Sequence, residues 1–339
     1  LINPERLKTV FLQMLHEAHC EVLLYTFVCE PIMDSGRLSG VIIENKSGRQ
    51  AIFAKIIIDS TGDGDIAAKA GAAYVKGRET DGAMQPASLM FKIGGVDYSR
   101  AVFPGKFEDY IQIPKGEIQA LGKSHLPFPA GHVLLYRSTL PGVVTCNMTN
   151  CTGIDGTNAA DLSRAVLVCR NQLQPILDFL HEFVPGYESC YLLETASLIG
   201  VRETRHFKGL ETITEEDIRS SRIFPDWAVT HASFNFDVHN MTGNGLDATG
   251  AQDAFTATSY TIPYGCLVPE KIDGLLLAGR NISGTHMAHA NYRVMPICAN
   301  MGQAAGIAAA LCCKEDIQPR DVKVPELQKL LLQNGVLPV

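Results

Sequence analysis

Apolar residues recur at helical spacing in the first twenty residues of the chain. Asn3 is a residue type that caps helices, and Pro4 is favoured at the first helical position. The apolar residues that follow share one helical face: Leu7, Val10, Phe11, Met14 and Ala18. The pattern therefore predicts a capped, amphipathic helix at the start of the chain.

The pattern then changes to short apolar runs separated by turn signals. Residues 21–33 are rich in valine, leucine and aromatic residues, which predicts a strand. Asp34-Ser-Gly and Lys46-Ser-Gly separate the next apolar stretches, which predicts a β-meander that ends in a buried strand at 56–58. An alanine-rich segment from Asp65 favours a helix, and residues 88–96 read as another strand.

The middle of the chain is less regular, and the first pattern returns near the end. Residues 159–184 predict one amphipathic helix, and residues 232–245 predict a strand that runs into a glycine-rich loop. Residues 273–281 read as a strand followed by a glycine turn, and residues 294–313 as a long helix lined by small residues. We therefore predict an α/β protein in which a Rossmann-like domain is interrupted by an inserted α+β domain.

Composition limits the class of protein. Of 339 residues, 46% are hydrophobic and 19% charged, enough apolar material for a substantial core. The net charge is −7 without a basic run, which argues against nucleic acid as a partner. Apolar runs shorter than a bilayer predict no membrane span. Ten cysteines without a C-x-x-C pair favour reduced thiols and a cytoplasmic protein, although an export signal before Leu1 stays open.

A glycine turn follows the buried strand and resembles a dinucleotide-binding fingerprint. Gly62, Gly64 and Ala67 give the spacing G-x-G-x-x-A. Asp63 and Asp65 lie between them, however, and two carboxylates repel a phosphate at close range. We therefore interpret the segment as a tight turn between strand and helix. An enzyme that uses only a nicotinamide cofactor is the alternative that this turn would support.

A second glycine turn carries more chemistry. The strand at 274–278 leads to Gly279, where a ligand can approach the backbone, and Arg280 and Asn281 follow as donors. Arg293 and Pro296 mark the start of the long helix, whose N-terminus is electropositive. An arginine beside a helix N-terminus suits a group that becomes negative during reaction, as the N1–C2=O edge of a reduced flavin does.

These segments resemble the FAD-dependent oxidoreductase family, of glutathione-reductase-like flavoprotein fold. The resemblance is carried by residues 45–72, 197–207 and 260–310 and by the tail at 319–331. It implies FAD as the cofactor and hydride transfer between flavin and a small organic substrate. It also implies an FAD-binding domain in two parts, 1–95 and 261–339, around a substrate domain at 96–260.

The resemblance also implies which residues lie beside the cofactor. Three stand at the end of the first buried strand, three in the second glycine turn, and five at or in the long helix. In order, they are Thr61, Gly62, Asp63, Gly279, Arg280, Asn281, Arg293, Val294, Met295, Gly302 and Gln303. One departure is Gly265, where the family pattern leads us to expect arginine.

The family's G-x-G-x-x-G turn, which holds the ADP pyrophosphate at the start of the chain, has no counterpart here. We therefore expect this sequence to be an N-terminally truncated member that lacks the first βαβ unit. The alternative to an enzyme is a non-catalytic remnant or binding module that has lost the cofactor. A small-molecule substrate is the expected partner, and association into a homo-oligomer stays open.

Five residues are candidates for the chemistry beside the flavin. His286 and His289 lie between the glycine turn and the long helix, and histidine suits acid–base work near neutral pH. Arg202 could anchor a substrate carboxylate. Asp237 and His239 alternate as residues on one side of a strand do. The sequence shows no carboxylate or third ligand near the histidine pair, so we predict no metal.

Overall fold

The computed structural model describes residues 2–107, 109–246 and 258–339. The elements of that part of the chain include helices and short strands. The helices are α1 (Pro4–Glu17), α2 (Asp65–Lys69), α3 (Ile118–His125), α4 (Ala159–Asn171), α5 (Leu173–Phe183), α6 (Glu215–Arg219), α7 (His286–Tyr292), α8 (Met295–Glu315) and α9 (Val324–Gln333). The strands are β1 (Phe27–Asp34), β2 (Arg37–Asn45), β3 (Gly48–Phe53), β4 (Ile57–Asp59), β5 (Tyr74–Lys76), β6 (Phe91–Gly94), β7 (Gln112–Ile113), β8 (Gly116–Glu117), β9 (Leu135–Arg137), β10 (Val144–Cys146), β11 (Tyr191–Thr195), β12 (Arg205–Phe207), β13 (Trp227–Ala232), β14 (Tyr260–Pro263) and β15 (Leu275–Leu277).

The chain divides into two compact units, each built from separate stretches of sequence. The first unit comprises the described residues of Leu1–Leu24, Gln85–Arg202 and His239–Ala248. The second unit comprises those of Tyr25–Met84, Glu203–Val238 and Thr249–Val339. The mixture of helices and strands confirms the α/β class. The predicted division at residues 95/96 and 260/261 stays a prediction.

The first unit is centred on an antiparallel sheet with the strand order β11-β6-β10-β9. Alternate residues of β6 and β10, such as Phe91, Ile93, Val144 and Cys146, are buried in its core. Helix α5 contributes five further buried apolar residues to this core: Leu173, Ile176, Leu177, Phe179 and Leu180. The predicted N-terminal helix is confirmed as α1, with Asn3 Oδ1 accepting from the amides of Glu5 and Arg6. None of the residues of α1 is buried.

The second unit contains the predicted meander and a buried parallel strand pair. Strands β1, β2 and β3 are antiparallel neighbours, as the turn signals predict. Strand β4 does not extend the meander; it pairs in parallel with β15, over 200 residues later, with Leu275 opposite Ile57 and Leu277 opposite Asp59. Helix α8 packs against both of these strands and against β13. The core of this unit therefore joins the beginning and the end of the sequence.

Helix α8 confirms the long helix that the small residues predict. Its buried face includes Met301, Ala304, Ala305 and Ala308, which lie in the core of the second unit. By length and composition α8 could also cross a membrane, since an 18-residue window has a mean hydropathy of 1.3. The core helix of a protein without any membrane segment passes the same test, so the finding is weak evidence.

Three sequence-based predictions of secondary structure are wrong in detail. The strand predicted at 21–33 begins only at Phe27. The single helix predicted at 159–184 is two helices, because Pro175 has no amide hydrogen to donate to Asn171 O and its ring clashes with that carbonyl. The helix predicted from Asp65 has five residues, because Gly71 with φ +89° follows its end.

The strand predicted at 232–245 is also wrong: β13 ends at Ala232 and no strand covers 237–239. Backbone groups of this segment bond side chains instead of a neighbouring strand. Asn291 Nδ2 donates to Phe234 O at 2.6 Å, and Arg293 Nη2 donates to Asp237 O at 2.8 Å. Asp237 and His239 consequently do not share a strand face, and they belong to different compact units.

Candidate functional site

The candidate site begins where the parallel strands β4 and β15 end. Ligands of open α/β sheets bind outside the carboxyl ends of such strands. The two following turns are joined there by hydrogen bonds to Asp59 O, from Ala278 N at 3.2 Å and from Asn281 Nδ2 at 3.0 Å. The fold therefore brings together the two segments, 61–63 and 279–281, that the resemblance implies for the cofactor.

The carboxylate of Asp59 organises the first turn. Asp59 is 3% exposed, and its Oδ1 accepts from the amide and the hydroxyl of Thr61 at 3.0 and 2.7 Å. Its Oδ2 accepts from the amides of Ile66 and Ala67, in the first turn of α2, at 3.0 and 2.9 Å. These amides would have to bind the phosphate in a pyrophosphate loop. Because Asp59 already occupies them, the turn is held by the protein's own side chain.

The second turn supplies the cation that faces Asp63. Arg280 Nη2 lies 2.7 Å from Asp63 Oδ1, which also accepts from Thr204 Oγ1 at 2.5 Å. A Cβ on Gly62, which has φ +85°, would lie 2.0 Å from Arg280 Nη1. The backbone conformation at position 62 favours glycine, and a side chain there would displace the guanidinium of Arg280.

Polar groups without a partner remain at the second turn. Within the described part of the chain, Arg280 Nε and Asn281 Oδ1 are buried and have no hydrogen-bond partner. Gly279 has φ +109°, and the nearest atom to a Cβ placed there is 3.9 Å away. A buried donor and a buried acceptor without partners are costly unless a ligand satisfies them. The second turn thus has both open space and unused hydrogen-bonding capacity.

The start of α8 adds a second arginine. Arg293 Nη2 forms an ion pair with Asp237 Oδ2 at 2.9 Å, and Val294 is the N-cap without a side-chain hydrogen bond. Burial raises the pKa of Cys298 to about 11, while Arg280 and Arg293 both act in the opposite direction. Both guanidinium groups therefore lie within electrostatic range of Cys298, in the first turn of α8. Met295, in that turn, is 60% exposed.

Two predicted cofactor residues further along α8 lie elsewhere. Gln303 Nε2 donates to Asn334 O at 3.1 Å, after the end of α9. Gly302 is exposed, and no atom comes within 4 Å of a Cβ placed there. Neither residue contacts the two glycine turns through a described hydrogen bond. Their role beside the flavin stays a prediction.

A buried carboxylate lies among three histidines of the second unit. Glu203 Oε1 accepts from His286 Nδ1 at 2.6 Å and from His206 Nε2 at 2.8 Å. The His206 and His289 rings meet edge to face, with centroids 4.7 Å apart. Hydrogen bonds from His206 and His286 outweigh the effect of burial and hold the pKa of Glu203 well below its usual range. Burial, and then the neighbouring His206, lower the pKa of His289 well below its ordinary value.

This cluster corrects one step of the sequence reasoning. The histidine pair His286 and His289 has a carboxylate partner after all, because Glu203 lies beside them although it is 83 residues away from His286. Both histidines are buried, at 3% and 1% exposure. The short spacing of Glu203 and His206 in the sequence was a usable signal, since residues three apart can converge on one site. Local sequence patterns cannot place that pair against α7.

The two remaining candidates for chemistry belong to the first unit. Arg202 donates to Pro86 O at 2.6 Å and to Ser88 Oγ at 3.0 Å, so its guanidinium serves local structure. The amide of His239 donates to Gln85 Oε1 at 3.1 Å, and its ring meets Phe107 edge to face. Their predicted roles toward a substrate stay predictions.

An open pocket of about 540 Å³ lies beside the start of α7. It is lined by acidic, basic and apolar side chains: Glu79, Thr214, Glu215, Glu216, Arg219, Thr285 and Met287. None of the eleven residues implied for the cofactor lines it. The pocket is therefore separate from the two glycine turns.

Comparison with known protein families matches a region that includes both glycine turns and helix α8. The sequence profile described as "FAD dependent oxidoreductase" matches residues 1–331. The chain belongs to this family. FAD is accordingly the cofactor, and the protein is a flavoprotein oxidoreductase by family. No curated protein matches the chain.

Solved structures of flavoenzymes resemble the chain at low identity. A geranylgeranyl bacteriochlorophyll reductase-like protein from Thermoplasma acidophilum is 11% identical with a TM-score of 0.47, over 98% of this chain and 59% of that one. The myxobacterial chondrochloren halogenase CndH is 13% identical with a TM-score of 0.39, over 96% and 54%. L-proline dehydrogenase from P. horikoshii is 12% identical with a TM-score of 0.34, over 99% and 61%. The chain thus spans between 54% and 61% of the length of these three structures.

The residues at the second turn fit one edge of FAD. Gly279 leaves room at the backbone, Arg280 Nε is a buried donor without a described partner, and no side chain caps the first turn of α8. Such donors suit an anionic or carbonyl edge. When bound, FAD supplies two-electron redox chemistry, and the protein supplies binding, orientation and electrostatics.

Proposed function

We propose that this protein oxidises or reduces a small organic substrate by hydride exchange with FAD. The observation that carries the proposal is the meeting of the two turns after β4 and β15, with an unpartnered arginine Nε and an open glycine backbone. The family match supports FAD as the cofactor. The two turns support its position, because a hydrogen-bond donor of the protein remains without a partner there.

The proposal gives each side chain a separate task. Arg280 and Arg293 hold positive charge beside the start of α8, and each is fixed by an aspartate, Asp63 or Asp237. Positive charge held in place stabilises negative charge that develops on a flavin as it is reduced. Asn281 fixes the turn to the end of β4 through Asp59 O. These residues bind and orient the cofactor.

Proton transfer is assigned to His286. Its Nδ1 is held by the Glu203 carboxylate at 2.6 Å, which sets the orientation and the tautomer of the ring. The opposite ring nitrogen is then the one that can exchange a proton with a substrate. We further propose that residues 96–260 hold the substrate and that residues 1–95 and 261–339 hold the cofactor, as the sequence patterns predict.

The alternative is a binding module without catalysis. It is favoured by one observation: the amides at the start of α2, which resemble a phosphate site in sequence, are occupied by Asp59. In that case the chain would keep the scaffold of the family and bind no flavin.

A glycine substitution separates the two functions. In Gly279→Ala, a methyl group would enter the open space above the second turn, and flavin binding should weaken by at least about tenfold, as expected for loss of one close contact. Gly48→Ala is the matched control, because Gly48 has φ +96° and also has open space around it. Both variants carry the backbone strain of a positive φ, of about 1–2 kcal/mol.

The readout is the dissociation constant of FAD, measured by quenching of flavin fluorescence. Weaker binding in Gly279→Ala with unchanged binding in Gly48→Ala supports the site. Equal affinities in all three proteins would show that the second turn does not contact the flavin. Absence of flavin binding by the parent protein would favour the binding module.

A further inference from the structure

The buried cluster of Glu203, His206, His286 and His289 contains a carboxylate and two imidazole nitrogens without a described hydrogen-bond partner. The side chain of Glu203 has no exposed surface. His206 Nδ1 and His289 Nδ1 are also buried and have no hydrogen-bond partner among the described residues. Glu203 accepts hydrogen bonds from His286 and His206, but the two buried imidazole nitrogens without partners are unfavourable unless a cation or a further polar group satisfies them.

We propose that Glu203, His206 and His289 form a buried site for one divalent transition-metal ion of the Zn²⁺ class. Each of the three offers one ligand atom, and these atoms all lie within 4.8 Å of one another. Imidazole nitrogen and carboxylate oxygen are ligands that Zn²⁺ prefers, at about 2.0–2.2 Å. Ligand atoms around a tetrahedral ion lie about 3.3 Å apart at those bond lengths, so small rotations of the side chains would complete the site.

The surrounding charges permit a cation there. Arg280 and Arg293 are each paired with an aspartate, at 2.7 Å for Asp63 and at 2.9 Å for Asp237. The Glu203 carboxylate therefore supplies negative charge for a cation, and an imidazole nitrogen of His289 can donate a lone pair to a metal.

His286 has a supporting place in this arrangement. Its Nδ1 donates to Glu203 Oε1 at 2.6 Å, so it orients the carboxylate without being one of the three ligands. Groups that orient a ligand contribute to metal affinity, and their loss typically weakens binding by about 10–100-fold. The three protein ligands leave one coordination position for water or another small molecule.

Metal content tests the site independently of flavin. Protein without an affinity tag is equilibrated with ZnCl₂, dialysed against metal-free buffer and analysed by inductively coupled plasma mass spectrometry. We expect about one Zn²⁺ per chain, and less than roughly a tenth of that in Glu203→Gln and in His289→Gln, since each variant loses a ligand. His132→Gln is the control, because His132 is also a buried histidine but lies in the first unit.

A second measurement keeps the test decisive if a variant is unstable. Co²⁺ added to the parent protein should give the visible absorption bands of a tetrahedral nitrogen and oxygen site, and His286→Gln should need about 10–100-fold more Co²⁺ for the same signal. Substoichiometric Zn²⁺ in the parent protein, or equal Zn²⁺ in the parent and in folded Glu203→Gln and His289→Gln, would overturn the proposal. Neither result depends on whether the protein binds FAD.

Discussion

Asp59→Ala tests whether one buried carboxylate holds the turn that ends β4. The substitution removes the acceptor of the amides of Ile66 and Ala67 and of the amide and hydroxyl of Thr61. Ile66 and Ala67 are 4% and 0% exposed, so their amides cannot easily bond water instead. Each buried donor left without a partner costs about 1–3 kcal/mol. We therefore expect the free energy of unfolding to fall by about 2–5 kcal/mol.

The assay is urea unfolding followed by the fluorescence of Trp227, the single tryptophan, which reports the second unit. Asn45→Ala is the matched control in the same unit, because Asn45 Oδ1 accepts from Ser47 N at 2.8 Å in an exposed turn. Water can replace that bond, so the control should lose no more than about 1 kcal/mol. Equal losses in the two variants would refute the reasoning, because burial of the α2 amides would then contribute nothing.

Two further predictions concern the same unit. Gly62→Ala should disrupt the ion pair of Arg280, because Arg280 Nη1 would lie 2.0 Å from the new methyl group. The control Gly71→Ala, at a residue with φ +89° and open space, should show only backbone strain of about 1–2 kcal/mol. Thermal unfolding compares the two variants, and equal unfolding midpoints would contradict the prediction. Burial and the nearby Asp226 raise the pKa of Glu211 to about 7 from 4.5, so the folded state binds this proton more tightly than the unfolded state does. The stability that the protonated Glu211 contributes is fully present below about pH 4.5 and is lost as the pH rises to about 7. Glu211→Gln should therefore reduce the fall of the urea midpoint between these two pH values. An unchanged pH dependence of the midpoint in this variant would exclude Glu211 as its source.

The sequence was most informative where local patterns and parallel topology agree. The β-meander follows from its turn signals, and α8 follows from a long run of helix-forming small residues. The meeting of Asp63 and Arg280 could be anticipated only through the family resemblance, because 217 residues separate them. Once β4 and β15 are neighbours in parallel, their following turns must lie at the same edge of the sheet.

The sequence failed where side chains compete with the backbone pattern. Asp237 and His239 alternate as strand residues do, but Arg293 and Asn291 bond the backbone of residues 234–237 and take the place of a partner strand. Pro175 did signal the break between α4 and α5, and the amphipathic pattern on both sides of it concealed that signal. Glu203 was visible in the sequence, yet its contact with His286 depends on tertiary packing that no local spacing reports.

The flavin content of the purified protein tests the central claim most directly. The protein is saturated with FAD, separated from free cofactor by gel filtration, denatured, and analysed for released FAD by absorbance and chromatography. We predict about one FAD per chain for a family member whose second turn keeps Arg280 and Asn281 available for the cofactor, with a dissociation constant low enough to survive the column. If folded protein from the column yields no FAD on denaturation, the result would contradict the account and favour a binding module without the cofactor.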